Sequence, residues 1–228
     1  MQILGQYTKD DRMCDLVSCH YRVLLVMSRF GIGLGFGDKS IDEVCREAGV
    51  DTTTFLVITN MLLSEDTAIY DPEKLSLEAL LVYLQKSHTY FLGFRLPGIR
   101  EKLVSIVDGA GDLSTAIINY FDGYIKGVNA HMRYEDEVVF PYVRALLAGS
   151  IPDDYRIEIF QKRHDQVEVM LTEFKNILIK YYPSESTNEL NGVLLDIFEC
   201  ERDLASHNAV EDMLFVPAVA ALEKNVEA

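Results

Sequence analysis

Two stretches decide the fold: HMRYEDEVVFPYVRAL (residues 131–146) and HNAVEDMLFVPAVAAL (207–222). Both begin His-x-x-x-Glu-Asp and both carry proline at the eleventh position. Residues i and i+4 lie one turn apart on the same face of a helix. His131 and Glu135 therefore share a face, as do His207 and Glu211. Two more histidines, His88 and His164, precede these segments, each by 43 residues. The chain thus reads as two related helical hairpins. Each has a lone histidine on its first helix and His-x-x-x-Glu on its second.

Working outward, helical periodicity predicts long helices over about 76–107, 114–147, 153–182 and 188–225, the first bent at Pro97. The breaks between them, DGAGD, GSIPDD and PSESTN, are short and rich in turn residues. Four helices so connected make an antiparallel four-helix bundle. Upstream, the polar stretch SEDTAIYDPEK (64–74) interrupts the apolar pattern like a linker. It separates a small helical domain, 1–72, from the bundle, 73–228. The small domain is expected to hold helices near 10–30, 40–48 and 52–63. Between the first two lies FGIGLGFGDKS (30–40), whose four glycines stop a helix. Ser40 with Glu43 three positions on is a capping box. Strand-like alternation is absent, so the class is all-α.

Composition narrows the partners. The formal net charge is −15 over 228 residues, a surface that repels phosphate backbones. SIDEVCREAGVDTTTFLVITNML (40–62) has a helix-turn-helix outline. Yet residues 1–72 carry six Lys/Arg against eleven Asp/Glu, whereas a DNA reader needs a basic face. No nucleic acid is expected. No apolar run is long enough to span a bilayer, and the N-terminus lacks the order of a signal peptide. The expectation is a cytoplasmic protein without a membrane partner. The cysteines, Cys14, Cys19, Cys45 and Cys200, form no C-x-x-C pair and are expected as reduced, mostly buried thiols. Cys14, Cys19 and His20 are the alternative thiol or metal cluster.

A single histidine on an apolar face is usually a packed core residue, and one His-x-x-x-Glu pair is usually a surface contact. Two such pairs with two more histidines at equal offsets, on four different helices, call for another account. Four imidazoles and two carboxylates converging in a core suit iron, zinc or manganese better than calcium or magnesium. The ligand arithmetic favours two metals. If both glutamates bridge, each ion receives two histidines and two carboxylate oxygens, and a shared oxo or hydroxo group adds a fifth ligand. Tyr90, Tyr120, Tyr124 and Tyr134 lie within a few turns of these residues. They are candidate hydrogen-bond donors or gates, or simply core aromatics.

These residues closely resemble hemerythrin-like domains, whose motif is the HHE cation-binding domain. HMRYEDEVVFP is similar to that family's His-x-x-x-Glu signature followed by Phe-Pro, and HNAVEDMLFVP to its second copy. The resemblance covers about residues 76–222. It implies that His88, His131, Glu135, His164, His207 and Glu211 ligate two iron ions, with both glutamates bridging; zinc and manganese rank below iron. Oxygen-carrying hemerythrins use five histidines, and the only spare here is His20, outside the bundle. The four-histidine set resembles instead the RIC branch, di-iron proteins linked to repair of iron–sulfur clusters. SRFGIGLGFGDKSIDEVCREAGVD (28–51) is similar to the N-terminal domain of that branch, but the Cys-Cys pair is replaced within Ile32–Asp38. The resemblance implies a stress-response protein handling nitric oxide, oxygen or peroxide, with iron–sulfur proteins as partners and a homodimer compatible with the sequence. The alternative is a di-iron sensor signalling through its N-terminal domain. No catalytic residue is assigned.

Overall fold

The computed structural model describes residues 6–63, 71–107, 111–150, 155–162, 165–183 and 187–227. The fold is all-α, as expected. Among the described residues there is no strand, only an isolated bridge between Arg12 and Ser40. The helices are α1 (Met13–Cys19), α2 (Val23–Phe30), α3 (Ile41–Glu47), α4 (Thr52–Leu63), α5 (Leu77–Tyr90), α6 (Leu96–Val107), α7 (Asp112–Tyr134), α8 (Phe140–Leu147), α9 (Asp165–Tyr181), α10 (Thr187–Val210) and α11 (Val216–Glu227). Contacts divide the chain into one unit of Met1–Ser87 with Val210–Ala228 and another of His88–Ala209. This division runs through helices, at Ser87–His88 and Ala209–Val210. Most of the polar stretch on which the sequence-based boundary at residue 72 rests, 64–70, lies outside the described residues.

In the first unit, the single helix expected over 10–30 is two. The break at His20–Arg22 falls where the buried stripe of Met13 and Leu16 would next present His20. Breaking there turns the imidazole edge-on to Tyr7, with ring centroids 5.7 Å apart. Gly31 ends α2 with φ +73°, and its N–H bonds to the Met27 and Ser28 carbonyls, a left-handed cap that a Cβ would disfavour. The Ser40–Glu43 capping box opens α3 as expected: Glu43 N–H donates to Ser40 Oγ, and Ser40 N–H donates to the Glu43 carboxylate. Asn60 holds the N-terminal stretch at Tyr7 by a reciprocal pair, accepting from Tyr7 N–H and donating to the Tyr7 carbonyl. The core gathers Val26, Met27, Phe30, Phe55 and Ile58. Buried Arg29 donates to Tyr83 Oη at 3.1 Å and lies over the same ring.

In the second unit all four bundle helices feed one apolar cluster. It contains Ile99 and Leu103 of α6, Ile117, Phe121 and Val128 of α7, Leu171, Phe174 and Leu178 of α9, and Val193, Ile197 and Leu204 of α10. On α7 the buried stripe runs Ile117, Phe121, Tyr124 and Val128, a three-four spacing that points one face inward. Continued, it arrives at His131 and Glu135. On α10 it runs Leu190, Val193, Ile197, Cys200 and Leu204, and the next step is His207. The ionisable residues thus occupy positions that the pattern reserves for apolar side chains.

The long helices are interrupted in a way the sequence reading did not foresee. Three π-helical turns, Phe91–Arg95, Glu135–Val139 and Glu211–Phe215, join α5 to α6, α7 to α8 and α10 to α11. Each ends two residues before a proline: Pro97, Pro141 and Pro217. A proline inside a helix lacks the N–H and its ring collides with the carbonyl four residues back. The π-turn relieves both problems. The residue just before each proline bonds five residues back instead of four: Leu96 N–H to Phe91 O, Phe140 N–H to Glu135 O, and Val216 N–H to Glu211 O. The bend expected at Pro97 is therefore a widened turn.

Candidate metal centre

Glu135 is the first residue of the π-turn that follows α7 and is wholly buried. Each of its oxygens faces a different imidazole. Oε1 lies 2.8 Å from His131 Nε2, one turn back on the same helix, and Oε2 lies 2.8 Å from His88 Nε2 near the end of α5. His207, near the end of α10, completes the arrangement within this unit. Its ring centroid is 5.3 Å from that of His88. His88, Glu135 and His207 each offer a ligand atom within 4.8 Å of the others, and all three are buried.

Aromatic rings wall the histidines. Phe140 stacks on His88 at 5.4 Å, nearly parallel, and Phe91 meets His207 edge-on at 6.0 Å. Such walls fix ring orientation and exclude water, which strengthens every charge interaction inside. Both rings come from positions at or just beyond a π-turn.

The electrostatics call for a cation. Burying a carboxylate without a compensating charge costs several kcal/mol. Burial works against the imidazolium of His88, yet the hydrogen bond to Asp136 and then the Glu135 contact outweigh it and push its pKa up to about 8. Burial likewise works against the Glu135 carboxylate, but His131 and His88 outweigh it and hold its pKa below the usual carboxylate range. Nδ1 of His88 lies 3.1 Å from Asp136 Oδ1. An ionised carboxylate only accepts, so Nδ1 carries the hydrogen. A neutral His88 then aims the Nε2 lone pair at Glu135, which is stable only with a positive charge between them. Either a second proton on the ring or a metal ion supplies it. Imidazole nitrogens with carboxylate oxygens are the donor set for iron, zinc or manganese, so the residues fit a metal.

Of the six residues singled out in the sequence, the structure brings His88, His131, Glu135 and His207 together. Glu211 stands four residues beyond His207 on a continuous run of helix, opens the next π-turn and is wholly buried. His164 lies outside the described residues. The Cys14–Cys19–His20 alternative forms no ligand group among the described residues. Cys45 and Cys200 are buried thiols, each pushed up to about 12 chiefly by that burial, so neither offers a ready thiolate. Among the tyrosines, Tyr120 donates to Glu173 Oε2 at 2.8 Å and stacks on Phe174. Tyr124 packs on Phe121 in the core, and the Tyr134 hydroxyl meets that of Tyr155 at 3.3 Å. Tyr90 packs on Phe91 and Phe94. These contacts are those of bundle aromatics.

Helical spacing does not single out Asp136, although both copies place aspartate directly after the glutamate. No helix among the described residues is long and apolar enough to cross a membrane. A comparison with curated proteins found no match. The family model for the hemerythrin HHE cation binding domain matches residues 82–219, more than half of the chain and the stretch that holds all six candidate ligands. The chain belongs to the hemerythrin HHE cation-binding domain family.

Proposed function

We propose that this protein holds two iron ions between the four bundle helices, and that it acts in the response to nitrosative or oxidative stress. One observation carries the two-metal reading: the two oxygens of Glu135 address two imidazoles from different helices, each at 2.8 Å. A carboxylate so placed would serve two ions. His88, His131 and His207 would hold them with Glu135, and His164 and Glu211 are the further ligands that the family resemblance implies.

A bound iron pair supplies reversible ferrous–ferric chemistry and affinity for small ligands such as nitric oxide, oxygen or peroxide. The chain's own contribution is to pre-arrange the donors. It keeps Glu135 ionised, sets the His88 tautomer through Asp136, and shields the centre with Phe140 and Phe91. Iron–sulfur proteins are the partners that the four-histidine, RIC-like pattern favours, and a cytoplasmic setting accords with free thiols. A homodimer is compatible with this reading.

A second reading has its own support. The loop within Ile32–Asp38 lacks the cysteine pair of RIC proteins, so thiol chemistry cannot proceed there. A sensor that binds a diatomic gas and signals through the N-terminal helices needs no such pair. Anaerobic loading with ferrous iron and metal analysis, followed by admission of oxygen as the oxidant and visible spectroscopy, tests the centre. Two irons per chain with oxo-bridge absorption support it, and a reconstituted protein that binds none refutes it. Restoration of a damaged iron–sulfur enzyme then separates the readings. Repair supports the first, and persistent gas binding without repair supports the second.

A further inference from the structure

Asp136 lies immediately after Glu135 in the π-turn, and the two consecutive carboxylates grip the two nitrogens of one imidazole. Glu135 Oε2 faces His88 Nε2 at 2.8 Å, and Asp136 Oδ1 faces His88 Nδ1 at 3.1 Å. Their settings differ. Glu135 is wholly buried, whereas the Asp136 side chain is 40% exposed. One carboxylate sits inside the centre and the other guards its rim. The imidazole between them is stacked on Phe140, so its plane is fixed and only its tautomer is free to vary.

We propose that Asp136 is a positioning residue for metal binding: it holds His88 in the Nδ1–H tautomer and presents the Nε2 lone pair to the cation. The proposal rests on the reading of His88 as a ligand. A histidine ligand whose outer nitrogen donates to a carboxylate is oriented and made more basic, and loss of such a partner lowers metal affinity roughly 10- to 100-fold. Asp136 does this without touching the ion. The π-turn explains how it reaches: Glu135 and Asp136 both stand where the helix has widened ahead of Pro141.

The test uses Asp136→Ala, Asp136→Asn and, as a control, Glu137→Ala, all in the full-length chain. Glu137 is the neighbour that pairs with Arg133 on the outer face. Ferrous iron affinity is measured anaerobically by competition with a chelator. Asp136→Ala is expected to lose roughly 10- to 100-fold. Asp136→Asn, whose amide oxygen still accepts, is expected to recover part of the loss, and Glu137→Ala to match the wild type. The second readout needs no metal. In metal-free, nitrogen-15-labelled protein at alkaline pH, His88 is expected as the Nδ1–H tautomer in the wild type and in Asp136→Asn, but not in Asp136→Ala. Wild-type affinity together with an unchanged tautomer in Asp136→Ala overturns the proposal. If Asp136→Ala does not fold, the Asn variant decides by the same two measurements. If the wild type binds no iron, the metal reading fails, and the tautomer measurement still decides whether Asp136 orients His88.

Discussion

In the first copy of the repeated segment, Met132 is buried behind His131 and Arg133 pairs with Glu137 on the outer face at 2.7 Å. In the second copy Asn208 stands in the Met132 position, Ala209 in the Arg133 position and Met213 in the Glu137 position. Ahead of the proline, packing residues and surface charges thus differ between the copies, while beyond it Val143, Ala145 and Leu146 recur as Val219, Ala221 and Leu222. Histidine, glutamate, aspartate and proline do not differ, and neither does the π-turn that opens on the glutamate. What the copies share is a device for placing a carboxylate. A widened turn accommodates the proline, and the turn sets the carboxylate at its start. Non-α turns within helices are frequent at functional sites, and here each precedes a proline visible in the sequence.

The most severe way to break the shared part is to remove both carboxylates. Glu135→Ala with Glu211→Ala is expected to take metal content from about two ions per chain to none, since both are read as bridging ligands. Metal analysis after anaerobic loading measures this. Retention of two ions by the double variant refutes the ligand assignment.

Next in size are the prolines. Pro141→Ala restores a backbone donor and removes the clash that keeps the π-turn open. A helix-interior proline costs about 3 kcal/mol, part of which the π-turn already relieves. The metal-free variant is therefore expected to gain about 1 kcal/mol in chemical denaturation while metal affinity falls, with Pro217→Ala behaving alike. Unaltered affinity in both variants would show that the turn does not place the glutamates.

His88 offers a smaller test, confined to the first carboxylate. Its folded pKa is raised from the ordinary value to about 8, so protonation stabilises the metal-free fold. That contribution is full below about pH 6.5 and lost as the pH rises through about 8. It amounts to about 2 kcal/mol. Urea denaturation of the metal-free protein from about pH 6 to about pH 9 should reveal the decline, and His88→Gln should flatten it. A wild-type curve with no decline over that range would contradict the pairing with Asp136 and Glu135.

Much of this was open to reading in the sequence because helical spacing is local. The i, i+4 rule alone puts His131 with Glu135, and the equal offsets of His88 and His164 identify the hairpins. The structure adds contacts that spacing cannot supply. Which oxygen of Glu135 meets which imidazole depends on where His88 lies beside α7, a tertiary fact. The π-turns were missed for a different reason. The prolines at 97, 141 and 217 were in view, but a proline within a helical pattern is compatible with a kink, a stop or a widened turn, and only hydrogen bonding distinguishes them. The break at His20–Arg22 carries no glycine or proline, so no local signal marked it.

The smallest expected effect concerns the face on which the copies differ. Arg133 and Glu137 are one turn apart on the outer face, and their side chains are 70% and 59% exposed. Exposed pairs at this spacing contribute about 0.3–0.5 kcal/mol. The second copy does without the pair, having Ala209 and Met213 there. Arg133→Ala should therefore lower stability by no more than about 0.5 kcal/mol and leave iron stoichiometry and affinity at wild-type values. A loss of affinity comparable to that of Asp136→Ala would mean that the outer charges steer the π-turn as well. The division between a shared placing device and a freely varying exterior would then have to be redrawn to include them.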